Sequence, residues 1–132
     1  MNVTVSQEQA NVPVTVLTIE GAIAADSYEQ LQKQAKEAYD AGTRYMLLDL
    51  SKVDFVSSSG LRAIHQIFLM LSVRGSEEEQ KAVQEGVRKG TYKSPYLKLA
   101  NPSRDVQNVL NMAGFDMFLA IYPDRKAALA EF

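Results

Sequence analysis

The stretch RYMLLDL, residues 44–50, is apolar without interruption from Tyr45 to Leu48 and apolar again at Leu50. A strand with one wet face alternates polar and apolar residues, whereas a continuous short run is the mark of a strand covered on both faces. Such a strand belongs in the middle of a sheet with helices packed against it. The rest of the chain is read around that requirement.

VTVSQEQANVPVTVLTIEG supplies two β-rich runs before it, at about residues 3–8 and 12–20, and Gly21 is expected to end the second. Asp26 or Ser27 then caps a helix, with Ser27 and Gln30 in capping-box spacing. Leu31, Ala35, Ala38 and Tyr39 keep helical period until Gly42. After the central strand a helix is predicted over about 58–73, and YLKLAN reads as a further strand. Asn101 and Pro102 suit an N-cap and first helical residue. Val106, Val109, Leu110 and Ala113 form the stripe of the helix after them, closed by Gly114. MFLAIY is a last strand and PDRKAALAEF a short terminal helix. The order β-β-α-β-α-β-α-β-α predicts an α/β fold, a mixed sheet with helices packed on it. Its expected core is Leu17, Ile19, Met46, Leu48, Leu50, Ile64, Phe68, Leu110 and Ile121.

At 132 residues the chain has the length of a single domain, residues 1–132. The one stretch that suits no core is residues 74–95, RGSEEEQKAVQEGVRKGTYKSP, charged and punctuated by glycine. It is expected to be an exposed appendage, either a helix from Ser76 or a mobile loop.

The charge balance excludes several partners. With a net charge of −2 there is no basic field for nucleic acid or anionic lipid. MNVTVSQEQANV lacks the basic and apolar regions of a signal peptide, and AIHQIFLML is too short to span a bilayer. The expectation is a soluble, cytoplasmic protein. Oligomeric state is left open, a homodimer included.

Catalytic chemistry finds little support. A serine nucleophile needs a base within reach, but the sole histidine, His65, lies on the helix that the serines open and reads as a flank residue. VSSSG lacks the first glycine of a nucleophile elbow. One histidine and no cysteine make no metal site, and Asp49 and Asp54 read as solvated, turn-forming carboxylates. Neither glycine-rich nucleotide motif occurs. No enzyme activity, cofactor or metal is expected.

KVDFVSSSGLRAI, residues 52–64, raises a different chemistry. One serine suffices to cap a helix, yet Ser57, Ser58 and Ser59 stand in a row. Gly60 weakens a helix's first turn, and its missing side chain would let another protein approach the hydroxyls. Along the helix Leu61, Ile64, Phe68 and Leu71 share the expected core face. Arg62, Gln66, Leu69, Met70 and Val73 fall opposite, an outward patch with three large apolar residues. Such a patch suits protein binding, or a cover supplied by residues 74–95.

LTIEGAI, YMLLDLSKVDFVSSSGLRAI and NVLNMAGFDMFLAIYPDRKAAL together resemble the STAS domain family, in the manner of the anti-sigma factor antagonists of the SpoIIAA type. The resemblance implies a mixed sheet of four or five strands flanked by four or five helices, and no catalysis by the chain itself. It implies a substrate role. A serine-kinase anti-sigma factor would phosphorylate Ser58, the unmodified form would bind that kinase, and a PP2C-type phosphatase would reset the pair. The partner-binding surface would comprise Ala24, Ser57, Ser58, Ser59, Gly60, Arg62, Gln66, Leu69 and Val73. Two positions depart from the family pattern, since Ser57 and Ala24 stand where aspartates are usual. The alternative is a STAS scaffold that binds without being phosphorylated, in a stressosome-like or transport complex.

Overall fold

The computed structural model describes residues 1–72, 81, 84–85 and 93–132. Val73 and most of the charged stretch 74–95 lie outside the described residues, and so do the expectations placed on them.

The elements come in the predicted order. They are β1 (Asn2–Gln9), β2 (Pro13–Ile23), α1 (Tyr28–Asp40), β3 (Met46–Val56), α2 (Ser58–Ser72), β4 (Leu97–Ala100), α3 (Arg104–Met112), a 3-10 turn (Phe115–Met117), β5 (Ala120–Tyr122) and α4 (Arg125–Leu129). The five strands lie side by side in chain order. β1 runs antiparallel to β2, and the other neighbours are parallel. A crossover between adjacent parallel strands is right-handed, so α1, α2 and α3 are carried to the same side of the sheet.

Register sorts the side chains. Leu17, Leu48 and Leu99 stand abreast and face α1, α2 and α3, where they join Leu31, Ile64, Phe68 and Leu110 in one cluster. Val16, Leu47 and Lys98 stand abreast on the opposite face. There Val14, Val16, Leu47 and Ala100 are covered by Ala128 of the short α4 and by Tyr45, Tyr122 and Phe132. The five residues Met46–Leu50 are all buried, so this stretch is covered on both faces.

Eight of the nine expected core residues are buried; Ile121 is partly buried, because β5 is only a three-residue edge strand. Several local expectations are corrected. β2 passes through Gly21 to Ile23, since that glycine, at φ +100, sits in a bulge against β3 instead of ending the strand. Ser27 precedes α1, but its hydroxyl turns back to donate to the Ala22 carbonyl and accept from the Ala24 N–H, so no capping box forms. α3 starts later than predicted: Asn101 is left-handed at φ 56, and Ser103 caps the helix by accepting from the Val106 N–H at 3.2 Å. On α2 the buried stripe is Gly60, Ala63, Ile64, Ile67, Phe68 and Leu71, which leaves Leu61 and Met70 half-buried.

Asp49 is the clearest departure. It is no solvated turn residue but lies inside β3, 6% exposed. Its carboxylate accepts from the Ser51 N–H at 3.0 Å and from Arg125 Nε and Nη2 at 3.1 and 2.9 Å, while the same Nη2 donates to Thr18 at 2.8 Å. Burial pushes the Asp49 pKa up, but the bonds from Ser51 and the Arg125 guanidinium outweigh it and hold the carboxyl below its ordinary range. A folded-state pKa below the unfolded one gives stability that is present above the unfolded value and lost as pH falls through the folded one. Asp49→Asn should therefore cost about 1–3 kcal/mol at neutral pH. It should also remove part of the loss of stability below about pH 4, which urea unfolding at two pH values would read.

Candidate functional site

The site forms where β2 and β3 end together. Ile23 is paired with Val56, and the next residue, Ser57, donates its N–H to the Ile23 carbonyl at 2.9 Å. The Ser57 hydroxyl accepts from the Gly60 N–H at 3.2 Å and lies 3.4 Å from the same Ile23 carbonyl, to which it donates. The Ser57 carbonyl accepts from the Leu61 N–H at 2.9 Å. Ser57 is therefore the N-cap of α2, with its hydroxyl consumed in starting the helix.

Ser58 and Ser59 occupy the first two helical positions. Ser58 is exposed and Ser59 half-buried, and neither hydroxyl has a hydrogen-bond partner among the described residues. A group attached to Ser58 would stand at the amino end of a 15-residue helix, where free N–H groups and the dipole favour negative charge. Ser57→Ala should lower stability by about 1 kcal/mol through loss of the cap, read as a lower melting temperature, with the Ser58 hydroxyl as accessible as before.

Gly60 requires a correction. It is buried, and a Cβ built on it would lie 2.3 Å from the Ile23 carbonyl oxygen. Its missing side chain makes room for β2 inside the domain instead of for a partner outside it.

The other expected contact residues spread outward from this point. Ala24, half-exposed, comes after Ile23 in the loop before α1, and its carbonyl accepts from the Ser27 and Tyr28 N–H groups. Arg62 and Gln66 are exposed on α2, and Leu69 is 42% exposed. Arg62 and Gln66 also line a groove of about 450 Å³ between α1 and α2, with Tyr28, Gln32, Lys36, Ile67 and Met70. Two features carry no signal in the sequence. Phe55, opposite Ala22 at the end of β3, is 54% exposed although it is a large aromatic residue. The α1 wall of the groove, with Tyr28 and Lys36, depends on how two helices sit together. His65 behaves as a flank residue: it is half-buried beside the rings of Phe68, Phe118 and Phe115, with centroids 5.9–6.4 Å away. Among the described residues no group of acidic or histidine side chains could hold a metal, and no helix is long and apolar enough to cross a membrane.

The STAS domain matches residues 4–89, and the chain belongs to that family. It is 25% identical over 117 residues to the Bordetella bronchiseptica protein named as the anti-sigma factor antagonist BtrV, covering 89% of this chain and 84% of that protein. A Thermotoga maritima protein described as an anti-sigma factor antagonist has the same fold, with a TM-score of 0.69 at 20% identity over 89% of this chain and 86% of that one. The anti-sigma factor antagonist SpoIIAA matches in its unphosphorylated form, with a TM-score of 0.58 at 14% identity over 96% and 93% of the two chains. Bacillus SpoIIAA in its phosphorylated form matches with a TM-score of 0.54 at 16% identity over 95% and 96%.

Proposed function

We propose that this chain is an anti-sigma factor antagonist in a partner-switching pathway, with Ser58 as the residue that a serine-kinase anti-sigma factor phosphorylates. The observation that carries the reading is the division of labour among the serines: Ser57 is spent as the cap, while Ser58 stands exposed with its hydroxyl unengaged. The names of the relatives supply the class of partner.

In this reading the domain is a substrate and a binding surface, not an enzyme. The kinase docks over Ala24, the start of α2 and its exposed side at Arg62, Gln66 and Leu69, with Val73 continuing that side in sequence. Phosphorylation places roughly −1.5 to −2 charges on Ser58. The helix start tolerates that charge, but a partner covering it must strip its water, so the complex separates. A PP2C-type phosphatase restores the hydroxyl. The whole cycle takes place in the cytoplasm, and residues 1–132 form one STAS domain with 74–95 as a charged insertion.

The second reading, a scaffold that binds without being phosphorylated, draws on Ser57 and Ala24. Both lack the carboxylate usual in the family, while serine and aspartate cap a helix comparably well. The start of α2 is therefore kept while acidity beside Ser58 is lost. Incubation with the serine kinases of the same organism, with phosphosite mapping afterwards, separates the two. Phosphate on Ser58 is the expected result. Phosphate on Ser57 instead would defeat the assignment, and no phosphate on any serine would favour the scaffold.

A further inference from the structure

β1 is the outer strand of the sheet, and among the described residues it has a neighbour on one side only. Which of its backbone groups face outward is set by β2. The Thr15 N–H donates to the Tyr45 carbonyl at 3.0 Å, so Thr15 turns its backbone groups toward β3. Along a strand these groups alternate sides. Val14, Val16 and Thr18 therefore turn theirs toward Glu8, Ser6 and Thr4 of β1. Val3, Val5 and Gln7 are left to point their N–H and C=O groups away from the sheet.

An open edge is normally blunted by lysine, proline, a bulge or sheer shortness. β1 has none of these: it is eight residues long, NVTVSQEQ, and pairs with β2 without a register shift from Asn2–Glu20 to Gln9–Pro13. At its centre Val5 is 45% exposed on the helix-bearing face, opposite Leu17. It borders a groove of about 630 Å³ that α1 leaves open through Gln34, Glu37 and Ala38.

We propose that β1 pairs antiparallel with β1 of a second copy of this chain, across a two-fold axis at Val5, so that the two sheets become one. The strand's own symmetry selects the occupant. The outward-facing positions 3, 5 and 7 are centred on 5. The axis therefore sets Val5 against Val5 and Val3 against Gln7, and each outward N–H meets an outward C=O. The half-exposed valines share one face of the joint. The only charged residue of β1, Glu8, meets Asn2 of the other copy rather than a second carboxylate. A foreign strand would have to match this edge, whereas a second copy already does. The surface contains none of the residues proposed to meet the kinase, so it stands or falls independently of that reading.

Sedimentation of the full chain over a wide concentration range should show a species of twice the 14.6 kDa chain mass. Val5→Lys, which sets two like charges against each other on the axis, should weaken self-association at least about tenfold. Its melting curve at low concentration should match the parent. Should that variant fail to fold, amide exchange on the unaltered protein decides the matter. The Val3, Val5 and Gln7 amides should become more protected as concentration rises. Because the chain has no cysteine, Val5→Cys should also oxidise to a covalent dimer faster than Met112→Cys, a residue 90% exposed elsewhere. A monomer at every concentration, a dimer indifferent to Val5→Lys, or edge amides indifferent to concentration would each overturn the proposal. So would edge amides that gain protection only when a different protein is added, which would give the edge to a foreign strand.

Discussion

Gly60→Ala is expected to destabilise the domain by about 3 kcal/mol, a fall in melting temperature on the order of 10 °C. Taken alone, the exchange should help, because alanine is better in a helix than glycine by up to about 1 kcal/mol. Packing reverses the sign. The added methyl would lie 2.3 Å from the Ile23 oxygen and 3.0 Å from its carbonyl carbon and Cγ2, so α2 and β2 would have to separate. The end of β2 is not free to retreat, since the same carbonyl accepts from the Ser57 N–H. A thermal melt at least as high as that of the parent would show that the helix start is looser than its contacts imply.

The second large effect is expected on binding. Ser58→Asp should weaken the complex with the proposed kinase partner about a hundredfold or more, in line with 3–5 kcal/mol for an uncompensated charge in a desolvated interface. The fold should be untouched. Ser58 is exposed at the first helical position, and an acidic residue there is favoured by about 0.3–1 kcal/mol. Ser58→Ala should bind as tightly as the parent and accept no phosphate. Calorimetry on the three proteins, with melting curves beside it, separates a lost interface from a lost fold. Equal affinity for the aspartate variant would place Ser58 outside the interface.

The element order was legible because periodicity is a local signal. The apolar run at Tyr45–Leu48, the stripe through Leu31, Ala35 and Ala38, and the stop at Gly114 each announce themselves within a few residues. What escaped depends on partners far along the chain. Asp49 reads as a surface carboxylate until Arg125, 76 residues later, is brought against it. Gly60 reads as an opening for another protein until Ile23 is seen to fill the space. Gly21 reads as a stop because a bulge is defined by the neighbouring strand rather than by its own sequence. At the candidate site the serine row stood out. Which of the three acts as cap could not be read from SSSG, because the choice rests on where the Ile23 carbonyl falls.

That carbonyl has a consequence for how such a domain would signal. It receives the Ser57 N–H and hydroxyl and lies against Gly60, so the residue that bears the proposed phosphate is flanked by positions clamped to the sheet. These contacts would resist transmitting a modification as movement. Information would be written on the outside of an unchanging body, and the two states would give nearly superimposable spectra except at the first turn of α2. A partner reading such a mark needs no allostery from this chain, only a surface that fits one version of it.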